Sequence, residues 1–154
     1  HHGDGTEEIL ADRPGVRFLS LFQWPLFPHR RMEPTPSNAV LSPLPAGAGG
    51  EDIRNVVENV WLPEIDKFQP DLMILSAGFD AHCEERIAQL KAGEMDYACV
   101  TRLLVEASFA YCEGRLVSVL EGGYELRSLA RSVFTHLQGL IRNPLPAETC
   151  KDPN

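Results

Sequence analysis

The sequence lacks three features that define common classes of protein. Its 154 residues contain no extended run of Lys or Arg, and the formal net charge is -8, which argues against a nucleic-acid-binding surface. No apolar run reaches the roughly 18 residues that a membrane-spanning helix needs, and no signal sequence opens the chain. The four cysteines show no Cys-x-x-Cys spacing, so a zinc knuckle is not indicated. We expect reduced cysteines, a cytoplasmic location (or a nuclear one in a eukaryote), and neither nucleic acid nor membrane as a partner.

What the sequence does have is a pair of histidines, His1 and His2, directly before a helix start. The four residues from Asp4 to Glu7 have the Asp-x-x-Glu form of a capping box, with Asp4 as N-cap and Glu7 reaching back. The pair is therefore a candidate metal site. Two alternatives remain open, namely the remnant of a purification tag and an ordinary solvated terminus.

Strand and helix patterns alternate along the chain. Apolar runs at 72–77 and 115–120 are typical of strands buried on both faces, and a shorter run at 16–22 also suits a strand. Prolines and glycines make 23–50 a long loop. Amphipathic spacing predicts helices at 52–68, with a break or kink near Pro63, and at 95–111 and 126–141.

This alternation predicts an α/β fold with a parallel β-sheet between layers of helices. We expect one domain over residues 1–142 and a flexible tail over 143–154. Ligands of such sheets bind at the carboxyl ends of the strands. The loops at 20–22, 77–82 and 121–124 leave those ends.

These loops and the first residues carry metal-binding and acid-base side chains: His1, His2, Asp80, His82 and Tyr124. Imidazole and carboxylate ligands with a neutral phenol suit a zinc-activated water. Because Tyr124 follows Gly122 and Gly123, a substrate could approach this loop closely. The hydroxyl of Tyr124 could then stabilise an oxyanion.

Structural interpretations compete with these roles. Asp80 could be a residue that only turns its loop, and Tyr124 a boundary tyrosine. His82 could be a second-shell partner or a substrate contact, but a solvated rim residue is our default. We expect His29 and His136 to be surface or helix histidines without a role.

Three blocks resemble the zinc-dependent histone deacetylase-like amidohydrolases, which have the arginase/deacetylase fold. They are His-His-Gly-Asp-Gly-Thr-Glu-Glu from His1, Leu-Ser-Ala-Gly-Phe-Asp-Ala-His ending at His82, and Ser-Val-Leu-Glu-Gly-Gly-Tyr-Glu-Leu ending at Leu126. Their residues are similar to those of the class II and bacterial-type branch of the family. The resemblance runs from His1 to about Ile141 and covers only the C-terminal half of the family's domain.

The resemblance implies a role for particular residues. His1 and Asp80 would be two of three Zn²⁺ ligands, His2 would flank the site without ligating, and Tyr124 would stabilise the oxyanion. Gly122 and Gly123 would lie against the substrate.

It also implies a structural site for K⁺ or another monovalent cation. Ser20 and Leu21 would form it together with the backbone carbonyl of His1. Phe27 would line one wall of the tunnel for the acyl-lysine side chain.

The implied reaction is hydrolysis of N-acetyl amides, such as acetyl-lysine or an acetylated small amine, to amine and acetate. The third zinc ligand, an Asp two residues before His1, and a tandem His pair further upstream are not in this sequence. We therefore expect a fragment that is inactive alone, completed by the missing N-terminal half or by a homo-oligomer. The alternative is a noncatalytic fragment or pseudoenzyme that acts as a binding or assembly module. A two-metal arginase-like hydrolase fits less well, because no Asp/His cluster for a second metal is visible.

Overall fold

A computed structural model describes residues 1–29 and 35–141. The tail predicted at 143–154 lies outside these ranges. The elements in chain order are α1 (Asp4–Leu10), β1 (Phe18–Gln23), β2 (Ala39–Leu44), α2 (Gly50–Val56), a π-helical segment (Val57–Trp61), α3 (Leu62–Phe68), β3 (Met73–Ala77), α4 (Glu94–Cys112), β4 (Leu116–Leu120) and α5 (Leu126–Leu140).

The strands form two separate parallel pairs. In the first, β1 runs beside β2 with Phe18 opposite Ala39, and in the second β3 runs beside β4 with Met73 opposite Leu116. Within the described ranges no strand pairing joins β1 to β3. The predicted α/β class and parallel strands are confirmed, but in this chain they do not form one continuous sheet.

The prediction of a strandless loop at 23–50 is wrong, because β2 lies inside it. Its apolar residues Ala39, Val40 and Leu41 pair with β1, whereas Pro43 has no N–H to donate and belongs on an edge strand. Among the described strands β2 pairs with β1 alone, so it is such an edge strand. Proline alone was therefore a misleading signal here.

The predicted helix at 52–68 is continuous but irregular. The π-helical segment separates α2 from α3, and Pro63 falls in the first turn of α3. Pro63 has no N–H to donate, and directly before it the hydrogen bonds follow the π pattern, with the Leu62 N–H bonded to the Val57 carbonyl. The helix does not break at Pro63, but it is irregular next to the predicted position.

The capping box predicted for α1 is also absent. The N-cap is Gly3, with φ of 77°, and Asp4 is the first helical residue. Instead of reaching back to the backbone, the Glu7 carboxylate bonds the His2 ring at 2.6 Å. Glu7 thus serves the histidine pair and not the helix terminus.

The hydrophobic core lies on one face of the β3–β4 pair. Val57, Ile65, Leu104 and Ala107 form its centre, and inward-facing strand residues pack against them. On the other face Ile74, Val117 and Val119 are 68%, 50% and 46% exposed. The prediction that these strands are buried on both faces is wrong for this chain, because the described helices cover only one face of the β3–β4 pair.

None of the helices in the described ranges is both long and apolar enough to span a membrane. Cys83 and Cys112 are free thiols, as expected, whereas Cys150 lies outside the described ranges.

Candidate functional site

The imidazole of His1 links the carboxyl ends of β1 and β3. Its Nδ1 lies 2.5 Å from Asp80 Oδ2, and its Nε2 accepts the backbone N–H of Gln23 at 2.9 Å. Because Nε2 is the acceptor, the ring proton belongs on Nδ1 and points at the carboxylate. The two predicted zinc ligands therefore lie in direct contact, although 79 residues separate them.

Asp80 lies in a confined and nearly buried position. Burial raises the pKa of its carboxyl. A side chain at Gly122 would bring its Cβ within 3.1 Å of the Asp80 carboxyl group. The glycine loop after β4 thus packs directly against this carboxylate.

His2 is held away from Asp80 by its own partners. The ring is 1% exposed, lies 3.9 Å from the Phe22 ring between centroids, and its Nε2 contacts Glu7. Sequence reasoning missed Glu7 as a partner of His2, since it assigned the carboxylate to a helix cap. This placement agrees with a residue that flanks the site.

Tyr124 follows Gly122 and Gly123 in the loop between β4 and α5. Its side chain is 61% exposed, and its hydroxyl makes no hydrogen bond within the described part of the chain. Its backbone N–H donates to Glu85 Oε2 at 2.8 Å. The loop is fixed by its backbone, and the phenol is free to meet a ligand.

The residues predicted for the cation site and the tunnel are more scattered. Ser20 Oγ donates to the carbonyl of His2 at 2.6 Å, whereas the resemblance pairs it with the carbonyl of His1. Leu21 is the next residue of β1. Phe27 lies on a loop beyond β1 and is 61% exposed. The cation site and the tunnel wall stay predictions.

A cavity of about 230 Å³ lies between β1 and β3. Residues of both strands line it, with His1 and Asp80 among the lining residues. Three other lining residues each have a buried polar atom without a hydrogen-bond partner in the described ranges, namely His2 Nδ1, Trp61 Nε1 and Tyr97 Oη. Unpartnered buried polar atoms are costly, so this cleft suits an occupant that carries hydrogen-bonding groups.

Two further histidines are buried, one against its prediction and one in a helix as predicted. His82 is 2% exposed, its Nδ1 accepts the N–H of Glu84 at 3.1 Å, and its ring stacks on Tyr97, so a solvated rim residue is wrong. His136 is 5% exposed and bonds two hydroxyl groups, those of Thr101 and Ser118. The spacing of His136 from Leu129 and Leu140 places it on the apolar face of α5, a signal that could have found it.

The metal-binding capacity of the site is partial. His1 Nδ1 and Asp80 Oδ2 are a nitrogen and an oxygen donor of the kinds that zinc takes in proteins. Among residues 1–29 and 35–141 no group of three or more His, Cys, Asp or Glu side chains is arranged to hold a metal. The described residues therefore offer two donors of the kind that a zinc site uses, and no complete set.

Fold and site together define an α/β protein with a His–Asp pair at the carboxyl ends of parallel strands. Residues 1–140 match the model of the histone deacetylase domain, and the chain belongs to that family. A probable deacetylase of Archaeoglobus fulgidus is 36% identical over 132 residues, which cover 82% of this chain and 37% of that protein.

Two further comparisons agree with this assignment. The polyamine deacetylase HDAC10 of Mus musculus is 33% identical over 158 residues, covering 95% of this chain and 23% of its own length. The solved structure of the histone deacetylase Clr3 superposes with a TM-score of 0.85 at 30% identity, covering 95% of this chain and 26% of that one. The chain thus spans well under half the length of each of these relatives.

Proposed function

We propose that this chain provides the C-terminal part of a zinc-dependent deacetylase, which hydrolyses N-acetyl amides to amine and acetate, and that it is inactive alone. The observation that carries the proposal is the contact of His1 Nδ1 with Asp80 Oδ2, beside the loop that presents Tyr124. Family membership supplies the deacetylase chemistry. Zinc dependence, inactivity and the residue roles are our inferences.

His1 and Asp80 would hold the zinc ion. Bound zinc supplies Lewis-acid activation of water and of the substrate carbonyl. The proton on His1 Nδ1 has to leave before that nitrogen can bind a metal, while the Gln23 N–H keeps the ring at the ends of β1 and β3. Glu7 holds His2 aside, so that His2 contributes no ligand.

Tyr124 would act on the substrate and not on the metal. Its hydroxyl would donate a hydrogen bond to the carbonyl oxygen as negative charge develops there, which is worth roughly 10²- to 10³-fold in rate for a single donor. Gly122 and Gly123, the proposed substrate-contacting glycines, let this loop pack closely, because a Cβ would meet Asp80 at position 122 and Leu129 and Phe79 at position 123. The substrate is an acetylated amine, either lysine in a protein or a small amine.

The cleft between β1 and β3 explains why the chain would need a partner. Each of these strands has a backbone edge facing the cleft without strand pairing in the described ranges. An inserted strand would pair with both edges, and it could satisfy the three unpartnered polar atoms. We infer that another part of the deacetylase domain fills this cleft, in the same polypeptide or as a second chain.

The test is release of acetate from an acetyl-lysine peptide and an acetylated polyamine, by this chain and by a domain completed with the upstream part of a related deacetylase. We expect turnover only in the completed domain and its loss after metal chelation. In that domain Tyr124→Phe should lower kcat on the order of 10²-fold. Tyr111→Phe is the matched control, since that hydroxyl bonds only Asp66 at the surface.

Three results would contradict the proposal. Turnover by the isolated chain would show that it obtains its missing ligands by another route, such as association with a second copy. Full activity of the Tyr124→Phe domain would remove Tyr124 from the mechanism. A completed domain that folds and binds zinc but releases no acetate would favour the noncatalytic binding module.

A further inference from the structure

The carboxylate of Glu85 joins two loops that meet at the candidate site. Glu85 lies in the loop after β3, five residues beyond Asp80. Its Oε2 accepts the backbone N–H of Tyr124 at 2.8 Å and that of Glu125 at 3.3 Å. Its Oε1 accepts the N–H of Arg86 at 2.8 Å and that of Ile87 at 3.5 Å. One side chain thus ties the loop that carries Asp80 to the loop that carries Tyr124.

The Glu85 carboxylate is well stabilised in its ionised form. Although partial burial raises the pKa of Glu85, the hydrogen bonds from Tyr124, Arg86, Ile87 and Glu125 outweigh that rise and hold the pKa below its usual range. Hydrogen bonds to an ionised acceptor are roughly twice as strong as neutral ones. The negative charge also lies before the first turn of α5, where the helix dipole favours it.

Other hydrogen bonds hold the loop on both sides of Tyr124, including the Glu125 carbonyl, which accepts the Leu129 N–H, but among the described residues the Tyr124 amide itself is bonded by Glu85. Its upstream part is bonded to the β3 side, since Glu121 N–H donates to the Ala77 carbonyl and Phe79 N–H to the Gly122 carbonyl. Gly123 then adopts φ of 126°, a backbone conformation that favours glycine. Between Gly123 and the start of α5 at Leu126, the Tyr124 and Glu125 amides are bonded by Glu85.

We propose that Glu85 is a positioning residue, which fixes the direction of the Tyr124 side chain by holding its backbone amide. Nothing in the family assignment identifies this contact. The proposal rests on the function proposed for Tyr124, because the direction of that side chain matters only if its hydroxyl meets the substrate. Glu85 itself touches neither His1 nor Asp80.

The first test is hydrogen exchange of individual amides in the 154-residue chain. Glu85→Gln keeps the size of the side chain but puts an NH₂ group where an oxygen accepted an N–H. We expect exchange of the Tyr124 and Glu125 amides to accelerate on the order of 10-fold or more, as for loss of a hydrogen bond to a charged group. Glu84→Gln is the matched control, since the Glu84 carboxylate bonds Arg131 and not the Tyr124 loop.

Unchanged exchange of the Tyr124 amide in Glu85→Gln would overturn the proposal. If that variant does not fold, the wild-type chain still decides the matter. Its Tyr124 amide should be protected although the residue is exposed and lies outside a helix, and exchange at the rate of an unstructured peptide would overturn the proposal equally.

The second test separates positioning from stability in the completed domain. Glu85→Gln should lower kcat by about 10-fold with little change in KM, since a misdirected Tyr124 weakens the transition state more than ground-state binding. Glu85→Asp, which keeps the charge, should recover part of the loss. A fall in kcat that simply follows the fraction of unfolded protein would contradict positioning.

The two proposals can fail separately. If Tyr124→Phe keeps full activity while Glu85→Gln accelerates amide exchange, Tyr124 is not catalytic but the contact stands as a structural tie. If Tyr124→Phe is inactive and Glu85→Gln changes neither exchange nor kcat, the proposed function stands and the positioning role of Glu85 is wrong.

Discussion

His136 is a buried histidine whose hydrogen bonds define its tautomer. The Thr101 hydroxyl donates to the Tyr97 carbonyl at 2.7 Å, so toward His136 Nδ1, also at 2.7 Å, it can only accept. Nδ1 therefore carries the proton, and Nε2 accepts the Ser118 hydroxyl at 2.8 Å. The neutral ring is fully satisfied, and burial lowers the pKa of His136.

The lowered pKa predicts a stability change with pH. Between the folded pKa and the unfolded value near 6.5, the unfolded chain binds the extra proton. The contribution of His136 is therefore complete above about pH 6.5 and is lost as the pH falls toward the folded pKa, at up to about 1.4 kcal/mol per pH unit. The free energy of unfolding from urea titrations at pH 7.5 and 5.5 measures it.

The reference for that measurement is His136→Gln, which removes the titrating group from the same position. The difference in unfolding free energy between wild type and variant should shrink at pH 5.5, because only the wild type loses stability through this residue. An equal difference at both pH values would mean that His136 keeps an ordinary pKa in the folded chain.

The residues that come together at the site were predictable only where a motif contains them. The motifs around His1 and Asp80 single out both residues, and these two side chains lie in contact. The burial of His82 and its stacking on Tyr97 arise from the path of the loop at 78–92, which carries no periodic pattern. Glu85 was missed for the same reason, since a carboxylate that binds backbone amides across 39 residues has no local signature.

At the scale of elements, close approach of two loops makes Gly122 sensitive to substitution. A Cβ there would lie 3.1 Å from Asp80 Cγ and Oδ1. We expect Gly122→Ala to displace that carboxylate and to cost about 1–3 kcal/mol of unfolding free energy, as overpacking usually does. Urea titration of the chain measures the cost, and zinc affinity of the completed domain should fall with it.

Gly5→Ala is the matched control for that change. Gly5 lies in α1 with no atom within 4 Å of an added Cβ, so alanine there should be neutral or stabilise by up to about 1 kcal/mol. Equal effects at the two glycines would show that the loop after β4 can move away from Asp80.

Elements with a clear period were predictable, and those defined by long-range pairing were not. The predicted helices at 95–111 and 126–141 correspond to α4 and α5. The buried residues of α5 are nevertheless Ser128, Ser132 and His136, whereas Leu137 of the predicted apolar face is 51% exposed. The strand β2 was not predicted, because Pro43 argues against a strand unless the strand lies at the edge of a sheet. Only the pairing with β1 reveals that position. The exposed outer faces of β3 and β4 could not be predicted either. An apolar strand sequence suits burial on both faces, but it does not show whether a helix layer covers each face in this chain.

At the scale of the whole molecule, the chain is an α/β protein in which one face of the β3–β4 pair is not covered by a described helix. All-parallel sheets in proteins normally have both faces covered, yet Ile74, Val117 and Val119 form an exposed apolar strip on the β3–β4 pair. The chain also spans only part of its relatives' length. We infer that in the complete domain the remainder packs on this strip as well as filling the cleft beside β1.

If the remainder packs on this strip, one double variant should have different effects in two settings. In the isolated chain, replacing Val117 and Val119 by Lys removes an apolar strip from the surface, so self-association in sedimentation velocity and binding of a hydrophobic dye should decrease. In the completed domain the same change would place two charges under a packed layer, and its unfolding free energy should fall by several kcal/mol. Ile9→Lys, at an exposed position on α1, should be nearly neutral in both settings. If the double variant leaves the completed domain as stable as the wild type, no layer covers this face, and the cleft alone must account for the missing part of the domain.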